Sequence, residues 1–168
     1  DVSTASYDSN FSVASQDGGP QGIAFNTDGT KMFIAGTVNE KVYEYTLSTG
    51  FDVSTASFVD GFDISSQEIG VTDLAFNTDG TKMFIVGTGS DTVYEYNLSD
   101  GFDVSTASYV DGYSVGSQET LPTGLEFSAD GKRMFITGNN GDDVTEYKLT
   151  TAFDLSLIHI SEPTRQHH

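Results

Sequence analysis

The chain lacks cysteine and tryptophan altogether, and its 168 residues include only 3 prolines and 7 basic residues. Without cysteine there are no disulfide bonds and no thiolate metal ligands, although this absence assigns no cellular compartment. With 25 acidic residues the formal net charge is -18, so the surface repels phosphate backbones and anionic lipid heads. We therefore expect no nucleic-acid partner. No apolar run approaches the roughly 20 residues that cross a bilayer, so we expect no membrane insertion.

Histidine is confined to the C-terminal end of the chain, at His159, His167 and His168. Residues 1–153 therefore lack the side chains of Ser-His-Asp and Cys-His nucleophilic systems and of histidine or cysteine zinc sites. Carboxylates are plentiful. They leave acid–base chemistry between paired acids, or oxygen-ligated Ca²⁺, as the available chemistry.

The sequence repeats with a period of 51 residues. The motif DVSTAS begins at Asp1, Asp52 and Asp103, and each copy is followed by an Asp-Gly pair and a Met-Phe strand motif at the same interval. A fixed period of this length is the signature of a repeat architecture. We divide the chain into repeats 1–51, 52–102 and 103–153, with residues 154–168 as the start of a fourth repeat and a tail.

Each repeat contains the signals of four short strands. GIAF leads into NTDG, where Asp-Gly favours the positive-φ turn of a hairpin, and KMFIAG is the returning strand. KVYEYTL alternates, which places Tyr43, Tyr45 and Leu47 on one face and Val42 and Glu44 on the other. The segment TASFVDGFDI supplies a fourth strand, with an interruption near Asp60-Gly61.

Four antiparallel strands in a repeat of this length predict an all-β fold, a β-propeller built from four-stranded blades. FNTDGTKMFIVG and FSADGKRMFITG resemble the SPDG-containing strand pair of bacterial propeller repeats of the YVTN and NHL-like type. The resemblance covers residues 1–153 and implies blade geometry, with no particular activity. WD-type blades match less well, because their Trp-Asp and Gly-His signatures are missing.

The strand order predicts that the chain opens with the outer strand of one blade and ends its third repeat after three inner strands. Three blades are fewer than the roughly 4–8 of closed rings. We therefore expect either further repeats or self-association, for example two chains forming a six-bladed ring with C₂ symmetry.

The ending LSLIHISEPTR is similar to a translated sequencing adapter, which fits codon by codon from Leu155 to Arg165. On this interpretation the gene was truncated during assembly from environmental or transcriptome DNA, and residues 155–168 are a non-native tail. A natural C-terminal extension is the alternative. We exclude this tail from the prediction of fold and function.

A Ser-Gln-acid triplet precedes the first strand of every repeat and is the main candidate ligand site. Near the mouth of a propeller channel, a ring of Gln and acid would bind a cation or sugar hydroxyls, although capping of a turn explains the same residues. The candidates are Gln16, Asp17, Gln67, Glu68, Gln118 and Glu119. The aspartates of the Asp-Gly pairs, Asp28 among them, are simpler to interpret as turn residues.

The repeats resemble one another so closely that we expect no enzyme, since a catalytic site needs different residues in different roles. The leading hypothesis is a non-enzymatic extracellular propeller that binds carbohydrate or protein or builds a cell-surface, secreted or virion structure. The Asn10 and Asn97 glycosylation sequons have meaning only in a eukaryotic secreted protein. A further alternative is a fibre subunit that assembles by strand exchange.

The enzymatic alternative is a metal-dependent hydrolase resembling propeller lactonases, which hold Ca²⁺ or a similar ion in the channel. Asp73 is its best candidate, because it replaces Gly22 and Gly124 of the sister repeats on the strand that lines the channel. We predict no cofactor for the leading hypothesis and Ca²⁺ for this alternative.

Overall fold

The computed structural model describes residues 1–156, and these form eleven β-strands and three single-turn 3₁₀ helices. The 3₁₀ turns are the DVST motifs, in which the aspartate side chain accepts the backbone N–H two residues later. The strands are β1 (Pro20–Phe25), β2 (Lys31–Gly36), β3 (Lys41–Leu47), β4 (Ala56–Asp63), β5 (Val71–Phe76), β6 (Lys82–Gly87), β7 (Thr92–Leu98), β8 (Ala107–Ser114), β9 (Pro122–Phe127), β10 (Arg133–Gly138) and β11 (Val144–Lys148).

The strands form three antiparallel sheets, which confirms the predicted all-β fold of propeller blades. Their orders are β1-β2-β3-β4, β5-β6-β7-β8 and β9-β10-β11. We call these blades 1, 2 and 3. Within residues 1–156 the third blade has three strands and no outer strand. Strands β1, β5 and β9 are the inner strands, and they lie side by side.

The predicted strand at the N-terminus is absent. Residues 5–12 repeat the sequence of β4 and β8 but have no regular secondary structure. A β-strand exists only through its partner, and β4 pairs with β3 just as β8 pairs with β7. Within residues 1–156 no strand pairs with residues 5–12.

The hairpin turns follow the prediction, since Gly29, Gly80 and Gly131 have φ values of 73°, 75° and 69°. A second reason for glycine comes from packing. A Cβ atom at Gly29 would lie 2.4 Å from the ring of Phe51. Phe51 itself has a φ of 61°, a conformation that costs a non-glycine residue about 1–3 kcal/mol. Packing of the ring on Gly29 offsets that strain.

The outer strands contain a bulge where an interruption was expected. Glu44 pairs with Asp60 and Tyr45 with Phe58, so Val59 is the extra residue. The strand therefore continues through Asp60-Gly61, and the bulge increases its twist instead of ending it. Blade 2 has the same shift between Glu95 and Tyr96.

The core consists of layers between neighbouring blades, because each blade is apolar on both faces. Phe33 of blade 1 packs on Phe76 of blade 2, and Phe84 of blade 2 packs on Phe127 of blade 3, with ring centroids 4.5 Å apart in both pairs. The alternation predicted for β3 is confirmed, since Tyr43 and Val42 belong to different core layers.

Polar ties also join neighbouring blades. Lys31 forms an ion pair with Glu44 at 2.7 Å within blade 1, and both side chains bond to the connection before β8 in blade 2. The Lys31 Nζ donates to the Phe102 carbonyl at 2.7 Å, and the Val104 N–H donates to Glu44 at 3.0 Å. We call this arrangement the inter-blade tie.

The tie repeats one blade further along the chain. Lys82 and Glu95 form an ion pair, Lys82 donates to the Phe153 carbonyl, and the Leu155 N–H donates to Glu95 at 3.0 Å. Within the described part of the chain, no helix has the length and apolar character needed to cross a membrane.

Candidate functional site

A cleft of about 360 Å³ lies along the inner strands. Its walls come from β1, β5 and β9 and from the turns that follow the first two of these strands. Two carboxylates, Asp73 and Glu126, are the acidic side chains of its lining, which contains no Lys, Arg or His. A concave site with a few converging polar groups is the usual form of a small-molecule site.

Asp73 is fixed by backbone groups of two blades. Its Oδ1 accepts the N–H of Leu74 and its Oδ2 accepts the N–H of Leu125 on β9, both at 2.9 Å. The carboxylate also approaches β1, because a Cβ atom at Gly22 would lie 3.0 Å from Asp73 Oδ1. The side chain thus bonds to the inner strands of blades 2 and 3 and lies close to that of blade 1.

The electrostatics of the cleft favour the protonated form of Asp73 more than water does. Partial burial raises the pKa of Asp73, and the negative charge of Glu126 raises it further. The hydrogen bonds from Leu125 and Leu74 act in the opposite direction without cancelling the effect of burial. A carboxyl with a raised pKa is the form that general acid–base catalysis uses.

Glu126 was not identified from the sequence, although the signal was there. It stands where the sister repeats have Ala24 and Ala75, just as Asp73 stands where they have Gly22 and Gly124. Its side chain is exposed on β9. Comparing the repeats position by position along the inner strands would have found both acids.

The acids of the Ser-Gln-acid triplets have a different environment. Asp17 is 2% exposed, and it accepts the N–H groups of Gly19 at 2.8 Å and Asn39 at 2.9 Å. Burial alone would raise the pKa of Asp17, but the N–H donors outweigh it and lower the pKa. The carboxylate therefore holds the β2–β3 loop against the connection that precedes β1.

Blades 2 and 3 repeat this arrangement. Glu68 accepts the N–H groups of Gly70 and Gly89 at 2.8 and 2.9 Å. Glu119 accepts those of Leu121 and Gly141 at 2.7 and 2.8 Å, and these hydrogen bonds lower its pKa.

The glutamines of the triplets are also engaged within the chain. Gln16 accepts the hydroxyl of Tyr45 at 3.2 Å. Gln67 and Gln118 accept those of Tyr96 and Tyr147 at 3.1 and 3.0 Å. The triplets thus connect each loop to its blade, and their role in ligand binding stays a prediction. Asp28 accepts the Thr30 N–H at 3.0 Å, as a turn residue does.

No family model matches the chain, and no curated protein matches it. Solved structures of low identity share its fold. A candidate 6-phosphogluconolactonase of Bacteroides fragilis superposes with a TM-score of 0.60 at 14% identity, over 77% of this chain and 34% of its own. The periplasmic gluconolactonase of Pseudomonas aeruginosa gives a TM-score of 0.56 at 18% identity, over 77% and 35%.

A third similar structure is the β-propeller domain of Swd1 from Myceliophteria thermophila, with a TM-score of 0.52 at 11% identity. It matches over 77% of this chain and 39% of its own length. The chain therefore spans well under half of each of these three neighbours. They support the propeller fold, while the closer resemblance to YVTN and NHL-like repeats stays a prediction.

The expectation of a non-enzymatic protein is wrong. Two of the neighbours that share the fold have lactonase names, so repetition of blades is compatible with hydrolysis. The expectation rested on the sameness of the repeats, and Asp73 and Glu126 break that sameness on the inner strands. The chain has the β-propeller fold, of which it supplies three consecutive blades.

Proposed function

We propose that the chain is part of a hydrolase that opens a lactone, the cyclic ester of a sugar acid, in the cleft beside Asp73. The observation that carries the proposal is the position of the two acids. On the inner strands, Asp73 stands where the sister repeats have Gly, and Glu126 stands where they have Ala. Both acids line the same cleft. The lactonase names of two fold neighbours agree with this chemistry.

Asp73 is the proposed general base. Its ionised carboxylate takes a proton from a water molecule while the water oxygen bonds to the lactone carbonyl carbon. The ring C–O bond then breaks, and the protonated Asp73 returns the proton to the leaving alkoxide oxygen. The product is the open-chain hydroxy acid. A base positioned in this way contributes roughly 10²–10⁴-fold to the rate.

Glu126 has a binding role in this proposal. Its exposed carboxylate accepts hydrogen bonds from sugar hydroxyls, and its charge adds to the effect of burial, which is the main reason that the pKa of Asp73 is raised. Since the cleft lining contains two acids and no basic side chain, a phosphorylated sugar would be repelled. The preferred substrate is therefore an uncharged aldonolactone.

The resemblance to propeller lactonases implies a calcium ion, but the described residues do not fit one. Ca²⁺ takes 6–8 oxygen ligands, whereas residues 1–156 contain no group of three or more Asp, Glu, His or Cys side chains that could hold a metal. The proposed mechanism therefore assigns no step to a metal.

The test is hydrolysis of glucono-δ-lactone, followed as acid release above the spontaneous background. The Asp73→Asn variant is expected to lose at least about 100-fold in kcat/KM. Glu126→Gln is expected to raise KM more than it lowers kcat. Asp100→Asn, which removes an exposed acid after β7, is the matched control and should leave turnover unchanged.

The pH profile gives a second readout. Turnover should fall as the pH drops through the raised pKa of Asp73, and Glu126→Gln should shift that point to lower pH because it removes a neighbouring negative charge. Background-level hydrolysis by the unmodified chain, or full activity in Asp73→Asn, would refute the proposal.

A further inference from the structure

We propose that the free faces of blade 1 and blade 3 bind each other between two copies of this chain, which closes a six-bladed ring. In this ring, residues 5–12 of each copy add the missing outer strand to β11 of the other copy. The inference concerns the ends of the blade array and does not depend on the hydrolase proposed above.

The first observation is the unpaired edge of β11. Within residues 1–156, β11 pairs with β10 on one side and with no strand on the other. Its counterparts β3 and β7 both carry an outer strand there. An open strand edge presents a row of backbone N–H and C=O groups to a further strand.

The second observation is a segment with the sequence of that strand. Residues 5–12, ASYDSNFS, correspond to ASFVDGFD of β4 and ASYVDGYS of β8. Tyr7 is 81% exposed, although its equivalents Phe58 and Tyr109 contact Tyr45 and Tyr96 on the neighbouring strand at 5.8 and 6.0 Å. Residues 158–165, IHISEPTR, do not repeat this pattern.

One end of this segment already lies where an outer strand would bring it. Phe11 packs edge-on against Tyr45 of blade 1, with ring centroids 5.6 Å apart. The equivalent pairs are Phe62 with Tyr96 at 5.5 Å and Tyr113 with Tyr147 at 5.4 Å. In both of these pairs the first residue belongs to the outer strand of the preceding blade. Residues 5–12 are therefore placed to complete a blade next to blade 1.

The third observation is an inter-blade tie that lacks its second half. Arg133 and Glu146 of blade 3 form the ion pair that corresponds to Lys31–Glu44 and Lys82–Glu95. The Glu146 side chain is 40% exposed, while those of Glu44 and Glu95 are 3% and 2% exposed. The difference arises because Glu44 and Glu95 each accept an N–H from the next blade.

Blade 1 carries the groups that would complete this tie. Phe51 and Val53 correspond to Phe102 and Val104, which bond to Lys31 and Glu44. The first of them, Phe51, is 60% exposed. In the ring, the Arg133 guanidinium of one copy donates to the Phe51 carbonyl of the other, and Glu146 accepts the Val53 N–H.

The fourth observation is the apolar face that blade 3 leaves uncovered. Val144 is 65% exposed, whereas its equivalents Val42 and Val93 are fully buried against the following blade. Phe135 is partly exposed, while Phe33 and Phe84 are fully buried. Covering this face with another blade would bury the same apolar groups that form the inner core layers.

Two copies close the ring because the contact is used twice. Blade 3 of each copy binds blade 1 of the other, and a head-to-tail contact forms a ring when its rotation closes. The resulting six blades lie within the roughly 4–8 of known propellers. The Asp73 clefts of both copies then face one channel.

Light scattering after size exclusion tests the mass of the full chain. The expected value is about 36 kDa, twice the 18.0 kDa of one chain. Glu146→Gln is expected to weaken the dimer about tenfold in Kd, with Asp100→Asn as the control. An 18.0 kDa particle at high micromolar concentration would overturn the proposal, and so would masses that grow with concentration, which indicate an open fibre.

Disulfide trapping tests the register, since the chain has no cysteine of its own. Thr46 pairs with Ser57, and this maps to Lys148 with Ser6. Mixing the single variants Ser6→Cys and Lys148→Cys should give a disulfide-linked dimer on a non-reducing gel. The mixture of Ser6→Cys with Lys132→Cys, on an exposed turn outside this register, is the control. Equal trapping in both mixtures would refute the strand pairing.

The two proposals fail separately. Asp73→Asn should lose turnover and stay dimeric, while Glu146→Gln should lower the dimer affinity of the chain at any level of activity. A dimer without hydrolysis would remove the proposed function and leave the ring standing.

Discussion

Substitution of Glu95 by Gln measures how much an inter-blade tie contributes to stability. Glu95 is 1% exposed, pairs with Lys82 at 2.5 Å and accepts the Leu155 N–H at 3.0 Å. Gln has nearly the same shape, so the substitution removes charge and leaves packing in place. Any decrease in the free energy of unfolding then measures the electrostatic contribution of the inter-blade tie.

The expected loss is about 2–3 kcal/mol. Breaking a buried ion pair by removing one partner costs about 3–5 kcal/mol. A value at or below the bottom of that range is appropriate here, because the Lys82 side chain is 27% exposed and water stabilises it after the substitution. The Gln side chain also keeps an oxygen that can accept the Leu155 N–H.

The chain provides its own control in Glu146→Gln. The Arg133–Glu146 pair occupies the equivalent position, but its side chains are 50% and 40% exposed. Exposed ion pairs contribute about 0–1 kcal/mol, so this variant should lose no more than that. The same Glu-to-Gln substitution at two equivalent positions thus measures how much burial by a neighbouring blade strengthens the ion pair.

The assay is urea unfolding followed by circular dichroism, at a concentration at which light scattering finds single chains. The midpoint of Glu95→Gln should decrease at an unchanged slope, and that of Glu146→Gln should stay near the original value. Equal losses in the two variants would refute the idea that neighbouring blades, and not the ion pair itself, make the tie strong.

Two further predictions concern the turns and the buried tyrosines. Gly29→Ala should lower the free energy of unfolding by about 2–3 kcal/mol, because φ is 73° and a Cβ atom would lie 2.4 Å from the Phe51 ring; Gly18→Ala, where no atom lies within 4 Å of the added carbon, should stay within about 0.5 kcal/mol in the same urea titration. Burial raises the pKa of Tyr45 to about 12, so its contribution to stability is present below pH 10 and is lost as the pH rises towards 12. Tyrosinate absorbance should show this late ionisation, and Tyr45→Phe should make alkaline unfolding less steep; an unchanged pH dependence in that variant would contradict the assignment.

Most of the blade could be predicted from the sequence, because its determinants are local. Alternation in KVYEYTL places Tyr43 and Val42 in different core layers, and the Asp-Gly pairs specify the turns. These features depend on residues within a few positions of one another. Period, alternation and turn chemistry all indicate the same fold, and the structure agrees.

Features that depend on partners distant in sequence could not be predicted. Asp17 resembles a ligand in a polar loop, but its oxygens bond to a loop twenty-two residues later in the chain. Nothing in the local sequence indicates which N–H groups a carboxylate will meet. The N-terminal strand was predicted wrongly for a related reason, since a strand needs a partner and residues 5–12 have none within residues 1–156.

The candidate site lies between these two cases. Asp73 stood out because it replaces a glycine, but its contact with the Leu125 N–H on β9 depends on how blades 2 and 3 pack. Glu126 could have been found in the same comparison of repeats. Its relation to Asp73 follows only from the neighbouring inner strands, which place both acids in one cleft.

Because the chain contains three similar repeats, equivalent residues can be compared to find whether a difference between them comes from their place in the structure or from the residue type. Glu44, Glu95 and Glu146 are the same residue type at equivalent positions, and Glu146 is the exposed one because no further blade lies against blade 3 within residues 1–156. Differences of this kind support the proposed contact between copies, because a neighbouring blade would remove them. Gly22, Asp73 and Gly124 differ in sequence at one structural position, so packing alone does not require the acid. Differences of that kind identify a site, and Asp73→Gly, which restores the sister sequence, should therefore abolish hydrolysis while leaving the three blades folded.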